Sequence, residues 1–184
     1  MAFFNSPVPA LGKWSATRLA SPAMDKENTM GTYDVVLKET PKQNIASIRD
    51  TIPAYGDVGK LYGELFPTLG RRFVRFAGPP LSIYHDPEYK KTDVDVEAAV
   101  PVQGKPKEIG RIKVRELEPA TVASTVHKGP FEGIGGAYDA VMKWVNANGY
   151  RVSGSAREVY IKSMGQAKSP EDYVTEIQIP VEKA

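Results

Sequence analysis

Two segments of the chain place apolar residues at helical spacing. In the first, Val58, Leu61, Tyr62, Leu65, Phe66 and Leu69 fall at i, i+3, i+4, i+7, i+8 and i+11. That is one apolar stripe along a helix, and Gly70 follows it as a stop. In the second, Ile134, Ala137, Tyr138, Val141 and Val145 form the stripe, Trp144 borders it and Gly149 follows. Short runs rich in β-branched residues flank both helices and end at Pro, Gly or Asp, the pattern of strands. Around the first helix they cover residues 32–38, 45–49, 81–85 and 93–102. Around the second they cover residues 110–117, 121–127, 157–163 and 173–181. Val152-Ser153-Gly154 reads as a loop.

The order strand, strand, helix, strand, strand thus occurs twice, over residues 32–103 and 110–182 of a domain spanning 31–184. Local sequence repeats with it. Ile45-Ala46-Ser47 matches Val122-Ala123-Ser124, Ile83-Tyr84 matches Val159-Tyr160, and aligning Pro101 with Pro180 sets Glu97 on Glu176. An α+β domain with an internal duplication is predicted. One helix on a small sheet leaves apolar surface uncovered, and two such halves can bury it around a pseudo-twofold axis. A groove on that axis would be a natural pocket.

Composition narrows the chemistry. The chain has 184 residues, 24 basic and 22 acidic, for a net charge of +2. No basic run supports nucleic-acid binding. With no Cys and only His85 and His127, thiolate and His-rich metal centres are not expected. The lack of disulfides fits a reducing cytoplasm. No apolar run approaches the ~20 residues of a membrane span. Gly133-Ile134-Gly135-Gly136 lacks the Lys-Ser/Thr of a P-loop and the spacing of a dinucleotide fingerprint, so no nucleotide cofactor follows. Residues 1–30 differ from the rest, with Pro7, Pro9 and Pro22 among scattered Ala and Ser. They read as a loosely attached extension in which Ser21-Pro22 suits the start of a short helix.

Gly129-Pro130-Phe131-Glu132-Gly133 before the second helix, Trp144 and Gly149-Tyr150 at its end, then Glu158-Val159-Tyr160-Ile161 and residues 173–181, Tyr-Val-Thr-Glu-Ile-Gln-Ile-Pro-Val, form an ordered set. This set resembles the GyrI-like effector-binding family, which includes the ligand-binding domains of AraC- and MerR-type multidrug-responsive transcription regulators. The resemblance implies tandem β-α-β-β (SHS2-like) repeats, with two helices over a curved antiparallel sheet. It also implies a pocket for lipophilic, often cationic aromatic molecules, with an acidic residue of the last strand meeting the positive charge. Position by position, that residue is Glu176. Residues 1–30 are too short for the DNA-binding domain of the regulators, so a stand-alone binding protein, monomer or homodimer, is expected.

Candidate ligand-binding residues are therefore Glu176, its repeat partner Glu97, Tyr160, Tyr84, Tyr138, Trp144, Phe131 and Tyr55. A Tyr can stack on a planar ligand or cover a cation. Phe131 and Tyr55 precede the two helices and could close a mouth. His85 and His127 read as strand-end residues. Two alternatives stay open by resemblance. Some stand-alone relatives hydrolyse strained, cyclopropane-type electrophiles, for which Glu176 with Tyr160 or Tyr84 would supply base and hydroxyl. Others inhibit DNA gyrase by binding protein.

Overall fold

The computed structural model describes residues 33–184. The extension and its short helix lie outside the described residues. The elements run β1 (Val36–Thr40), β2 (Gln43–Ile52), α1 (Val58–Arg71), β3 (Leu81–Tyr84), β4 (Val94–Pro101), β5 (Lys113–Leu117), β6 (Ala120–Lys128), α2 (Gly135–Ala147), β7 (Tyr150–Val152), β8 (Ala156–Lys162) and β9 (Val174–Lys183). Single 3-10 turns, Tyr55–Asp57 and Phe131–Gly133, lead into the helices.

Both helices form where the apolar stripe predicts, and the stripe decides which face is buried. Leu61, Leu65 and Leu69 of α1, and Ala137, Val141 and Val145 of α2, are all but fully buried. Each buried leucine contributes about 1.5–3 kcal/mol. α1 continues through Pro67 and past Gly70 to Arg71, with Arg72 as its C-cap. The segment at Val152 is also more ordered than its pattern suggests. Residues 150–152 pair with residues 181–183 as β7, a strand too short to show alternation.

Eight strands form one antiparallel sheet in the order β1-β6-β9-β8-β3-β4-β2-β5, and β7 adds to the end of β9. This order is symmetric about the β8–β3 junction. In each half the strand before the helix lies beside the last strand, and the first strand of each half crosses to the edge of the other. β1 stands at one end of the order and β2 next to the strand at the other end, yet only Pro41 and Lys42 join them. Such a link spans at most about 11 Å, so the sheet curls until its ends meet. Beside that link, within the β1–β6 pair, Thr40 Oγ1 donates to the Ala120 carbonyl and accepts from the Ala120 amide, both at 3.1 Å.

The curl gives the sheet two unlike faces. On the outer face, Ala46, Ile48, Val94, Val96, Ala98 and Val100 pack under α1, and Ala123, Ile177, Ile179 and Val181 pack under α2. By the two-residue period of strands, their neighbours point to the inner face. There Ile45, Leu81, Ile83, Ala99 and Leu117 form a third apolar cluster beside Val159. Among the described residues no helix is long and apolar enough to cross a membrane.

Candidate functional site

Between the halves covered by the two helices the sheet presents its central strands β3 and β8, a strip called the groove below. Both strands send alternate side chains into it: Ser82 and Tyr84 from β3, Glu158 and Tyr160 from β8. The register explains the gathering, because Ser82 pairs with Glu158 across the β3–β8 ladder. Each helix adds one tyrosine. Tyr62 follows buried Leu61 on α1 as Tyr138 follows buried Ala137 on α2, so each stands at the border of its stripe and faces the groove. The 3-10 turns place Tyr55 and Phe131 at the ends. Tyr55 lies 5.4 Å from Tyr84, and Phe131 meets Tyr160 edge-on at 5.7 Å. The Tyr62 ring meets Tyr160 edge-on at 6.0 Å.

Glu158 is the centre of this arrangement. It is 7% exposed. Tyr138 donates to its Oε1 at 2.9 Å, and Tyr160 and Tyr84 reach its Oε2 at 3.1 and 3.3 Å. Ser82 Oγ extends the network, 2.9 Å from the Tyr160 hydroxyl and 3.1 Å from that of Tyr62. Burial raises the Glu158 carboxyl above its ordinary range, and the three phenols only partly offset this. Burial and the adjacent charge of Glu158 hold the phenols of Tyr84, Tyr138 and Tyr160 well above theirs, so they remain protonated donors. Among the described residues no lysine, arginine or histidine forms an ion pair with Glu158. The carboxylate has hydroxyl partners and no counter-charge.

Five of the residues singled out from the sequence, Tyr160, Tyr84, Tyr138, Phe131 and Tyr55, come together here. Three do not. Trp144 stacks on Tyr150 at 5.7 Å, towards the C-terminal end of α2. Glu97 and Glu176 point to the inner face of the sheet, away from the groove, and each has its own cation. Glu97 accepts from Arg115 at 3.0 and 2.6 Å, from Ser47 at 2.6 Å, and lies 3.1 Å from His85 Nε2. Although burial opposes it, these partners hold the Glu97 carboxyl down to about 2. Glu176 ion-pairs with Lys38, accepts from Ser124 at 2.6 Å and from Gln178 at 3.0 Å. The glutamate, serine and cation of the two sets correspond strand by strand between the halves, whereas His85 and Gln178 do not.

Glu158, Ser82 and Tyr62 are missing from the sequence-derived set. The signal for Glu158 was present, since in Glu158-Val159-Tyr160 the first and third residues share a strand face. Ser82 and Tyr84 repeat that spacing. Neither of two clefts of about 420 and 530 Å³ elsewhere on the surface includes these residues; both border the loop at Lys105 and Pro106. Among the described residues no three His, Asp or Glu gather as a metal site.

The fold is a two-helix domain on a curled antiparallel sheet, with an aromatic cluster around one buried carboxylate. The chain belongs to the GyrI-like small-molecule binding domain family, whose match covers residues 33–182. No curated protein matches it. Among solved structures, the EcmrR C-terminal domain is 32% identical with a TM-score of 0.74, over 83% of this chain and 99% of that one. In the EcmrR–DNA complex the match spans 58% of the EcmrR chain. Two more distant structures share the fold. A hydrolase from Listeria innocua is 16% identical, TM-score 0.58, over 80% of this chain and 91% of its own. SAV2435 bound to tetraphenylphosphonium is 15% identical, TM-score 0.55, over 81% and 94%.

Proposed function

We propose that the groove binds a lipophilic small molecule bearing a positive charge, with Glu158 as its counter-ion and the tyrosines as its walls. The observation that carries this is the unpaired state of Glu158. A buried carboxylate without a counter-charge is costly, and hydroxyl donors relieve only part of the cost. A cation placed beside it supplies the missing charge. Rings from Tyr55, Tyr62, Tyr84, Tyr160 and Phe131 supply the apolar and cation–π contact, worth about 0.5–2 kcal/mol for each well-placed ring. Phe131, at the end of the groove, is 37% exposed and covers the ring of Tyr160. The tetraphenylphosphonium carried by SAV2435 is a molecule of this chemical kind.

A second reading rests on the raised Glu158 carboxyl. A carboxylate pushed towards neutrality is a better general base, and could take a proton from water attacking an electrophile while a Tyr160 or Tyr138 hydroxyl donates to the leaving atom. The hydrolase from Listeria innocua has the same fold.

Calorimetric titration with tetraphenylphosphonium and with neutral triphenylphosphine oxide separates charge from shape. Glu158→Gln is expected to weaken the cation by at least ~10-fold and the neutral compound by less than ~2-fold. Equal losses for the two compounds would remove the counter-ion argument. Release of product from a strained electrophile by the wild type, abolished in Glu158→Gln, would favour the second reading.

A further inference from the structure

The inner face of the sheet holds a second buried charge that the groove does not use. Arg157 on β8 is 8% exposed. Among the described residues no carboxylate pairs with it. Its one hydrogen bond there, Nη1 to Thr40 Oγ1, is long at 3.5 Å, and that hydroxyl is already engaged with both backbone groups of Ala120. A guanidinium carries five N–H donors and stays charged at any working pH. Among the described residues its unpaired nitrogens are not fully enclosed, so an incoming counter-charge can reach them, and the mostly buried setting strengthens that attraction. Burial and the nearby Arg115 act together against its charged form.

The symmetry of the fold shows that the same position can be filled without a charge. Leu81 occupies the corresponding place in the first half. Leu81 pairs with Ala99 as Arg157 pairs with Gln178, and Leu117 corresponds to Thr40. The first half fills these positions with Leu81, Ala99 and Leu117, which pack as an apolar cluster. The second half fills them with Arg157, Gln178 and Thr40, all three buried polar groups. One half of a symmetric interior has been made polar, around a guanidinium that reaches across the curl from a central strand to an edge strand.

We propose that Arg157 anchors a second ligand site, on the inner face of the sheet, for a small molecule bearing a carboxylate group. The balance of charge there selects the class. Lys38, Arg115 and Arg157 face Glu97 and Glu176, and the first two cations are neutralised by those carboxylates. One positive charge is left over, which suits a monoanion better than a dianion. A carboxylate also matches the planar fork of a guanidinium with two parallel hydrogen bonds. Gln178 spends one amide hydrogen on Glu176 and has a second to give.

The test is an NMR titration of the arginine Nε–H signals of the full chain with acetate and, separately, inorganic phosphate, at constant ionic strength. Acetate is expected to move the Arg157 signal saturably with a dissociation constant of about 1 mM, and more tightly than phosphate. Tetraphenylphosphonium affinity should be unchanged by saturating acetate. The remaining shifts of Arg157→Leu and Arg157→Gln should be linear and small. No saturable movement of Arg157 with either anion up to ~30 mM overturns the site. Saturation by phosphate alone overturns the carboxylate assignment, and saturation that persists in both variants places the binding elsewhere.

Discussion

The groove holds one buried carboxylate, the inner face of the sheet holds a buried one and a half-buried one, and the two regions satisfy them in opposite ways. On the inner face Glu97 and Glu176 each have a serine donor from the neighbouring strand and a cation from the edge strand, Arg115 and Lys38 respectively. In the groove Glu158 has three phenols and no cation. A carboxylate that carries its own cation is part of the scaffold, while one that lacks it is open to a ligand. The difference follows from topology. β1 and β5 cross to the far halves and deliver a basic residue to each inner-face site, whereas no edge strand reaches the central strands from the helix side.

Breaking the scaffold side should have the largest effect on stability. Glu97→Ala removes the partner of Arg115, Ser47 and His85 inside the sheet. The expected loss is about 1–3 kcal/mol, because the truncation leaves Ser47 and His85 without their buried acceptor, while Arg115, with 40% of its side chain exposed, is solvated. Urea unfolding measures it, and a loss under ~1 kcal/mol would show that Glu97 is solvated. Glu158→Gln should do the opposite. Removing an unpaired buried charge leaves stability at neutral pH unchanged or raises it by about 1 kcal/mol, while cation affinity falls. If Glu158→Gln destabilised the fold as much as Glu97→Ala, the contrast between the two regions would fail.

The same contrast predicts opposite pH dependences. The Glu97 carboxyl is held down to about 2 from an ordinary 4.5, so the folded state binds the proton less readily than the unfolded state. Its contribution is fully present above pH 4.5 and is lost as pH falls through about 2. The Glu158 carboxyl is raised above its ordinary 4.5. Its contribution is fully present below that value and is lost as pH rises through the folded-state one. Stability measured against pH should therefore flatten on the acid side in Glu97→Gln and on the side above pH 4.5 in Glu158→Gln. The two variants changing the same limb of the curve would disprove the assignment.

How much of this was legible in the sequence depends on which periodicity carried it. The helices and the repeat could be read because Leu61, Leu65 and Leu69, or Ala137, Val141 and Val145, bury at a fixed spacing in any surroundings. The tyrosines beside those stripes could be read for the same reason. Which of three strand glutamates faces the groove could not, because alternation assigns residues to two faces without saying which face the helices cover. Glu97, Glu158 and Glu176 all sit in strands rich in apolar residues, and only the helices' places on the sheet separate them. The cations were equally hidden. Lys38 and Arg115 belong to strands that leave their own half, and short-range sequence carries no sign of that exchange.

The smallest expected effect is the sharpest test of this distinction. Glu176 lies in the closing strand, the segment of the chain that most resembles the ligand-binding family, yet it is held by Lys38, Ser124 and Gln178 on the face away from the groove. Lys38 keeps 38% of its side chain exposed, so solvent screens the pair and its net worth is about 1 kcal/mol or less. Glu176→Gln keeps the serine and amide contacts and should cost no more than that in stability. It should also leave tetraphenylphosphonium affinity within ~2-fold of wild type, because the charge removed has the sheet between it and the groove. Calorimetry on Glu176→Gln beside Glu158→Gln reads the difference directly. A drop of ~10-fold or more in Glu176→Gln alone would transfer the ligand's positive charge to the inner face and make Lys38 the group it displaces.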